Sequence, residues 1–347
     1  ETGALFTATA LASAIATLAM ALIANLPFAL APGMGMNAFF AFTVVIGMGK
    51  SWQFALTAIL VEGLIFLILT LFNVREAIVN AIPANLKKAI SAGIGLFIAF
   101  IGLQNAGIVS PNASTLVSLG DITTGAPLVA IIGVIITGIL YAYKVPGALL
   151  IGMLGTTVIG IPFGVTTWAG GSFLPPDLSS TFFKFEFNQI FTVDFLIVTA
   201  TFFFVDVFDT VGTNMLEKDG QIKNAKQGFF ADAIGTICGA VFGTSAVTTY
   251  VESSAGISQG GRTGLTSVVT AGLFLVSLFL APIFLSVPSA ATAPALIIVG
   301  LLMMAPIKEI EFEDFTEGIP AFLCIIMMPF AYSIADGIMF GIVSWLL

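Results

Sequence analysis

From residue 6 to the end of the chain, stretches of about twenty apolar residues follow one another, with most charges falling between them. A helix of that length crosses the hydrocarbon core of a bilayer. Composition agrees: 58% of residues are apolar and 9% charged, against roughly 25% charged in an ordinary soluble domain. So few charges cannot cover that much apolar surface in water. A soluble enzyme, a nucleic-acid binder and a disordered chain are excluded, and the fold class is all-α and polytopic. With no His in the chain there is no imidazole base and no His metal ligand. Cys238 and Cys324 sit in apolar runs and are expected in the core, not in a disulfide or metal site. A net charge of −8 leaves no basic stripe for nucleic acid.

The apolar runs place spans at 6–26, 27–47, 52–72, 87–109, 126–143, 147–164, 191–215, 225–243, 244–261, 263–287, 291–304, 319–332 and 338–347. A short amphipathic stretch lies at 75–83 and a polar loop at 165–188. With the loop after residue 72 taken as cytoplasmic, Arg75, Lys87, Lys88, Lys144, Lys218, Lys223, Lys226, Arg262 and Lys308 fall inside, and Lys50 and Lys184 outside. Basic residues favour the cytoplasmic side. This alternation holds only if 27–47 and 244–261 each cross the membrane, although neither reads as an ordinary helix. It puts Glu1 outside, so a cytoplasmic N-terminus of the intact protein would require an odd number of further spans before it. The chain is accordingly expected to be a fragment.

In LPFALAPGMGMNAFFAF, Pro27 and Pro32 disfavour helix, Gly33 and Gly35 permit unusual backbone angles, and a helix can resume near Met36. In GTSAVTTYVESSAGISQGG, residues 247–251 are β-prone and a short helix can begin near Glu252 or Ser253. Neither segment tolerates lipid, since its amides would lack partners. Both must be buried in protein, where the two extended stretches can pair. The second lies seven spans after the first, so the halves would have opposite topology. Broken spans at corresponding places mark a secondary transporter with an inverted repeat, its site between the half-helix N-termini.

Acids inside a bilayer cost about 2.5–3.5 kcal/mol on insertion scales and mark sites or pathways. Asp206 and Asp209 share one helix face in FFFVDVFDTVGT. Glu252 sits at the strand-to-helix break, where the helix dipole favours its charged form and burial its neutral one. Asp209 has a purely architectural reading beside the functional one. Glu62 and Asp232 read as structural or proton-related, and Asp336 as a helix cap. Phe39 and Phe40 suit stacking on a planar ligand, with core packing the alternative.

The blocks APGMGMNAFFAFTVV, GIGLFIAFIGLQNAGIV, FFFVDVFDTVGT, FGTSAVTTYVESSAGISQGGRTGLTSVVT and PAFLCIIMMPFAYSIADGI resemble the AzgA-like purine permeases, a branch of the nucleobase–cation symporters with the uracil-permease fold. The resemblance runs from about residue 6 to the end. It implies fourteen segments in two inverted sevens, the third and tenth each a short strand plus a half-helix, with the first span missing here and the C-terminal tail cut short. It implies proton-coupled uptake of hypoxanthine, guanine or adenine across the cytoplasmic membrane. Asn37, Asp206, Asp209 and Glu252 match the family's polar positions, and the stretch TNMLEKDG departs from its more apolar continuation.

The expected division is a core domain at 1–86 and 191–290 and a gate domain at 87–190 and 291–347. Asn37, Phe39, Asp206, Tyr250, Glu252 and Ser253 are the candidate purine ligands, and Asp206, Asp209 and Glu252 the candidate proton carriers. Partners are the purine and the bilayer, with a homodimer admitted. No cofactor is expected beyond the coupling proton, no metal and no catalytic residue. The alternatives are a xanthine- or uracil-type permease, an anion exchanger of the same fold and an intramembrane enzyme. Uncompensated acids and the lack of Lys or Arg in either broken segment weigh against the anion, and the absence of His against the enzyme.

Overall fold

The computed structural model describes residues 2–72, 82–170, 173–214, 224–250, 253–258 and 260–347. Glu252, Arg75, Lys218, Lys223 and most of the expected amphipathic stretch at 75–83 lie outside them. The elements in chain order are α1 (Thr2–Ala19, continued by a π-helical turn, Met20–Ala24), β1 (Leu30–Pro32), α2 (Met34–Ala38, continued by a wide turn, Phe39–Gly47) and α3 (Trp52–Leu71). Then come α4 (Ala84–Asn105), β2 (Val109–Asn112), β3 (Leu116–Leu119), α5 (Gly125–Ala142), α6 (Ala148–Ile159) and α7 (Val193–Asn214). The remainder is α8 (Ala225–Phe242), β4 (Val247–Thr249), α9 (Ser253–Ser258), α10 (Gly264–Ser277), α11 (Ala281–Leu285), α12 (Ser289–Met303), α13 (Phe315–Phe330) and α14 (Ile334–Leu346). Among the described residues, six helices are long and apolar enough to cross a membrane, with shorter apolar helices besides.

Two local features differ from the sequence expectation. Residues 109–119 form a β-hairpin, β2 against β3, whose turn is closed by Asn112 Oδ1 accepting the N–H groups of Ser114 and Thr115. The cap of α14 is Ser333, whose hydroxyl accepts the Asp336 N–H at 3.2 Å, so Asp336 stands in the first turn and is not the cap. Both cysteines are free, and Cys324 is buried.

The chain forms two compact units, Glu1–Lys87 with Phe173–Ala281, and Lys88–Ser172 with Pro282–Leu347. The outer segment 173–190 groups with the first of them. In the second unit, helices approach through small residues, as packing inside a membrane favours. A Cβ on Gly95 of α4 would stand 2.6 Å from the Gly300 carbonyl of α12, and one on Gly300 2.5 Å from the Gly95 carbonyl. Gly133 of α5 faces Thr156 of α6 in the same manner, and Gly152 faces Thr137.

At the centre of the first unit lie the two broken segments. Strands β1 and β4 pair antiparallel in the register Leu30↔Thr249, Ala31↔Thr248 and Pro32↔Val247. The Tyr250 N–H donates to the Ala29 carbonyl at 2.9 Å and the Gly33 N–H to the Ala246 carbonyl at 3.3 Å. By the alternation of an antiparallel pair, Leu30 and Pro32 then fall at non-bonded positions with their backbone groups turned outward. Pro32, which has no N–H, deprives the ladder of nothing there. Half-helices follow each strand, α2 beginning at Met34 and α9 at Ser253. Ahead of β1, the chain leaves α1 through Asn25 in the left-handed conformation, and Asn25 Oδ1 accepts the Gly264 N–H at 2.9 Å.

Candidate functional site

A two-stranded ladder has two edges, and inside a membrane protein each outward N–H and C=O needs a partner. Side chains of the flanking helices supply them. Thr17 of α1 accepts the Leu30 N–H at 2.9 Å, and its hydroxyl lies 3.2 Å from the Leu30 carbonyl. On the other edge, Asp232 Oδ1 of α8 accepts both the Thr249 N–H and the Thr248 hydroxyl, each at 3.1 Å. Thr236, one turn further along α8, lies 3.3 Å from the Val247 carbonyl. Thr17, Asp232 and Thr236 are fully or almost fully buried. Two glycines let α8 come this close: a Cβ on Gly235 would meet the Val247 carbonyl at 2.9 Å, and one on Gly239 the Ser245 carbonyl at 2.6 Å.

The crossing borders a cavity of about 800 Å³ within the first unit. Ala29, Ala31, Pro32, Asn37 and Phe40 line it from the first broken segment, and Thr244, Ser245 and Tyr250 from the second. Thr9 of α1, Trp52 of α3 and Phe274 of α10 complete much of the wall. The described lining residues include no Lys, Arg, Asp or Glu. One side is hydroxyl-rich, where Thr9 and Thr244 hydrogen-bond at 3.0 Å. Phe40, Trp52, Tyr250 and Phe274 give aromatic surface. A wall of this composition suits a flat, neutral molecule with donors and acceptors on its edge.

Asn37 stands in this wall with its amide held at both ends. Its Nδ2 donates to the Pro32 carbonyl at 3.5 Å, and its Oδ1 accepts the Ser245 hydroxyl. Tyr250 also lines the cavity. Phe39 is turned elsewhere, edge-on against Phe202 with ring centroids 4.9 Å apart, while Phe40 faces the cavity. The Ser253 hydroxyl accepts the Ala29 N–H at 2.9 Å and so fastens α9 to the start of β1. Asp206 is completely buried on α7 behind the ladder, not among the described lining residues, with Oδ2 3.2 Å from the Thr236 hydroxyl. Asp209 follows on the same helix, and Glu62 is buried on α3. Glu252, two residues past Tyr250, lies outside the described residues.

Sequence reasoning passed over Thr9, Trp52, Thr236, Thr244 and Ser245. Thr244 and Ser245 open the polar stretch already singled out, and the small polar residues ahead of the β-prone run were the signal for them. A lone Thr in an apolar helix, such as Thr236, carries no comparable signal.

Residues 1–340 match the Permease family. The guanine/hypoxanthine permease PbuG of Bacillus subtilis is 50% identical over 357 residues, covering 99% of this chain and 81% of that protein. The adenine permease AdeQ of Escherichia coli is 38% identical over 348 residues, covering 98% and 78%. Among solved structures, the transmembrane domain of the cyanobacterium bicarbonate transporter BicA superposes with a TM-score of 0.63 at 19% identity, covering all of this chain and 97% of that one. At that identity the likeness concerns the fold.

Proposed function

Because this chain belongs to the Permease family, we propose that it carries purine nucleobases across the cell membrane, coupled to protons and by alternating access. It is a multi-pass membrane transporter and not an enzyme, with the uracil-permease type of helical fold. Guanine, hypoxanthine or adenine is the cargo that the relatives' names and the cavity wall jointly support. The observation that carries the reading is the clamped Asn37 amide in an uncharged, aromatic-rich wall. An amide offers both a donor and an acceptor to the edge of a purine, and aromatic rings take its faces.

In this reading Asn37, Phe40 and Tyr250 contact the base, and Glu252 is an acceptor for its ring N–H groups. Asp206 carries the coupling proton, and Asp209 fixes Asp206. No cofactor takes part besides that proton. The unit holding the crossed segments acts as the core and the other as the gate. A xanthine- or uracil-type cargo would need a different pattern of edge donors and acceptors. An anion cargo would want a cation, and the described lining residues hold none.

Uptake of radiolabelled guanine, hypoxanthine, adenine, xanthine and uracil by the full-length protein in proteoliposomes, with and without an imposed pH gradient, tests the reading. The expected result is purine accumulation that collapses when the gradient is dissipated. Accumulation of uracil alone, or uptake indifferent to the gradient, would overturn it.

A further inference from the structure

Thr236 has one hydroxyl and two acceptors for it. Its Oγ1 lies 3.2 Å from Asp206 Oδ2 and 3.3 Å from the Val247 carbonyl. Thr236, Asp206 and Val247 are all fully buried. A hydroxyl carries a single hydrogen, so it fully serves one of these acceptors at a time. The Val247 carbonyl is not a bystander. It sits at a non-bonded position of the ladder, where the opposite strand offers it nothing and Pro32, across from it, has no N–H to give.

We propose that Thr236 is a positioning residue that converts the protonation state of Asp206 into the grip of α8 on strand β4. With Asp206 ionised, the Thr236 hydroxyl donates to the carboxylate, and the Val247 carbonyl loses that donor. A proton arriving on Asp206 makes the carboxyl group itself a donor. It then donates to Thr236 Oγ1, and Thr236 turns its own hydrogen to the Val247 carbonyl. No covalent bond of Thr236 breaks; the proton stays on Asp206, the Asp206–Thr236 hydrogen bond reverses direction, and a hydrogen bond from Thr236 to the Val247 carbonyl forms. Strand β4 is thus held more firmly when Asp206 is protonated. Because β4 leads through Tyr250 to the cavity wall and carries Thr244 and Ser245 just ahead of it, the proton is felt at the site without Asp206 entering it.

Among the described residues, the ionisable groups on the helices next to Asp206 are Asp194 and Asp209 on α7 itself, Glu62 on α3, which packs on α7, and Asp232 and the exposed Lys226 on α8. The described parts of α2, its wide turn and β4 hold none. Asp232 grips β4 directly through Thr248 and Thr249 and is the group from which the relay must be separated.

The proposal rests on the proton-coupled reading of Asp206, and its test needs no cargo. Amide hydrogen exchange of residues 246–250 is measured on the substrate-free, full-length protein in nanodiscs between pH 5 and 9, corrected for the intrinsic pH dependence of exchange. The wild type should lose protection by about fivefold or more as pH rises, the size expected when one buried acceptor loses its donor. Thr236→Val, which keeps the shape and removes the hydroxyl, should be poorly protected at every pH, and Thr236→Ser should restore the pH dependence. Asp206→Asn, whose amide N–H can donate to Thr236 as the neutral acid does, should be well protected at every pH. Glu62→Gln and Asp232→Asn should keep the wild-type profile. A flat wild-type profile, a pH-dependent Thr236→Val, or Asp206→Asn and Thr236→Val shifting in the same direction would each overturn the relay. Purine uptake by the same variants reconstituted in proteoliposomes separates failure of the relay from failure of the transport reading.

Discussion

Ser245 donates its hydroxyl hydrogen to Oδ1 of Asn37, 208 residues earlier in the chain. The Pro32 carbonyl can only accept, so the amide nitrogen must face it, and the two contacts together fix which way the Asn37 amide points. The amide thereby keeps an N–H as the group to offer a ligand. Ser245→Ala releases the acceptor end and lets the amide turn over. Purine affinity, measured by calorimetry, should fall by about 2- to 12-fold, the worth of one hydrogen bond of about 0.5–1.5 kcal/mol. Ser245→Thr should retain most of it. Wild-type affinity in the alanine variant would mean that Asn37 needs no such clamp.

The ladder clips make a separate stability prediction. Thr17→Val removes the partner of both backbone groups of Leu30, which are buried. Each orphaned group costs about 1–3 kcal/mol, so the melting temperature in detergent should drop clearly, and Thr17→Ser should recover it. At the other edge, Asp232 uses one oxygen for both of its strand contacts. Asp232→Asn retains such an oxygen and should fold and transport almost normally. Asp232→Ala should lower the yield of folded protein. Equal damage from Asn and Ala would assign Asp232 a role that depends on its charge.

Much of this arrangement is legible in the residues. Proline, glycine and the β-prone run 247–251 locate both helix breaks, and the need to satisfy backbone groups inside a membrane pairs the two extended stretches. The strands and half-helices begin within a few residues of where those signals put them. The clips are not legible. Thr17, Thr236 and Ser267 occur in apolar helices without any period that marks them, and their partners are fixed by three-dimensional packing. Ser267 is shared by the Leu26 and Phe28 carbonyls, more than two hundred residues away. The hairpin at 109–119 was equally hidden, because its two strands are four residues each in what reads as a linker. Phe39 and Phe40 are indistinguishable by composition, and only the turn of the chain after α2 sends Phe39 to Phe202 and Phe40 to the cavity.

Orientation in the membrane rests on the distribution of Lys and Arg, and cysteine labelling tests it. In a background with Cys238 and Cys324 replaced by Ala, cysteines at Ala113 and Pro176 should react with an impermeant reagent applied from outside. Cysteines at Gly220 and Glu313 should react only after permeabilisation. The reversed pattern would remove the assignment of sides.

The acids are expected to separate by role. If Glu252 accepts an N–H of the purine, Glu252→Gln keeps its size but can turn an NH₂ group toward that N–H. A buried donor left facing a donor costs about 1–3 kcal/mol, or roughly 5- to 150-fold in affinity. Among the described residues, Asp206 stands behind β4 and connects to the cavity wall through Thr236 and the strand. Asp206→Asn should therefore bind purine almost as well as the wild type and lose accumulation driven by a pH gradient, because an amide does not titrate. The sign is fixed by symport: lowering the external pH should raise accumulation in the wild type and leave Asp206→Asn unchanged. Asp209→Asn should be the mildest of the three if it only steadies Asp206. Calorimetry on purified full-length variants and uptake across an imposed gradient decide each case. Wild-type affinity in Glu252→Gln would remove Glu252 from the purine site. Gradient-driven accumulation surviving in Asp206→Asn would move the coupling proton to another acid, with Glu252 next in line.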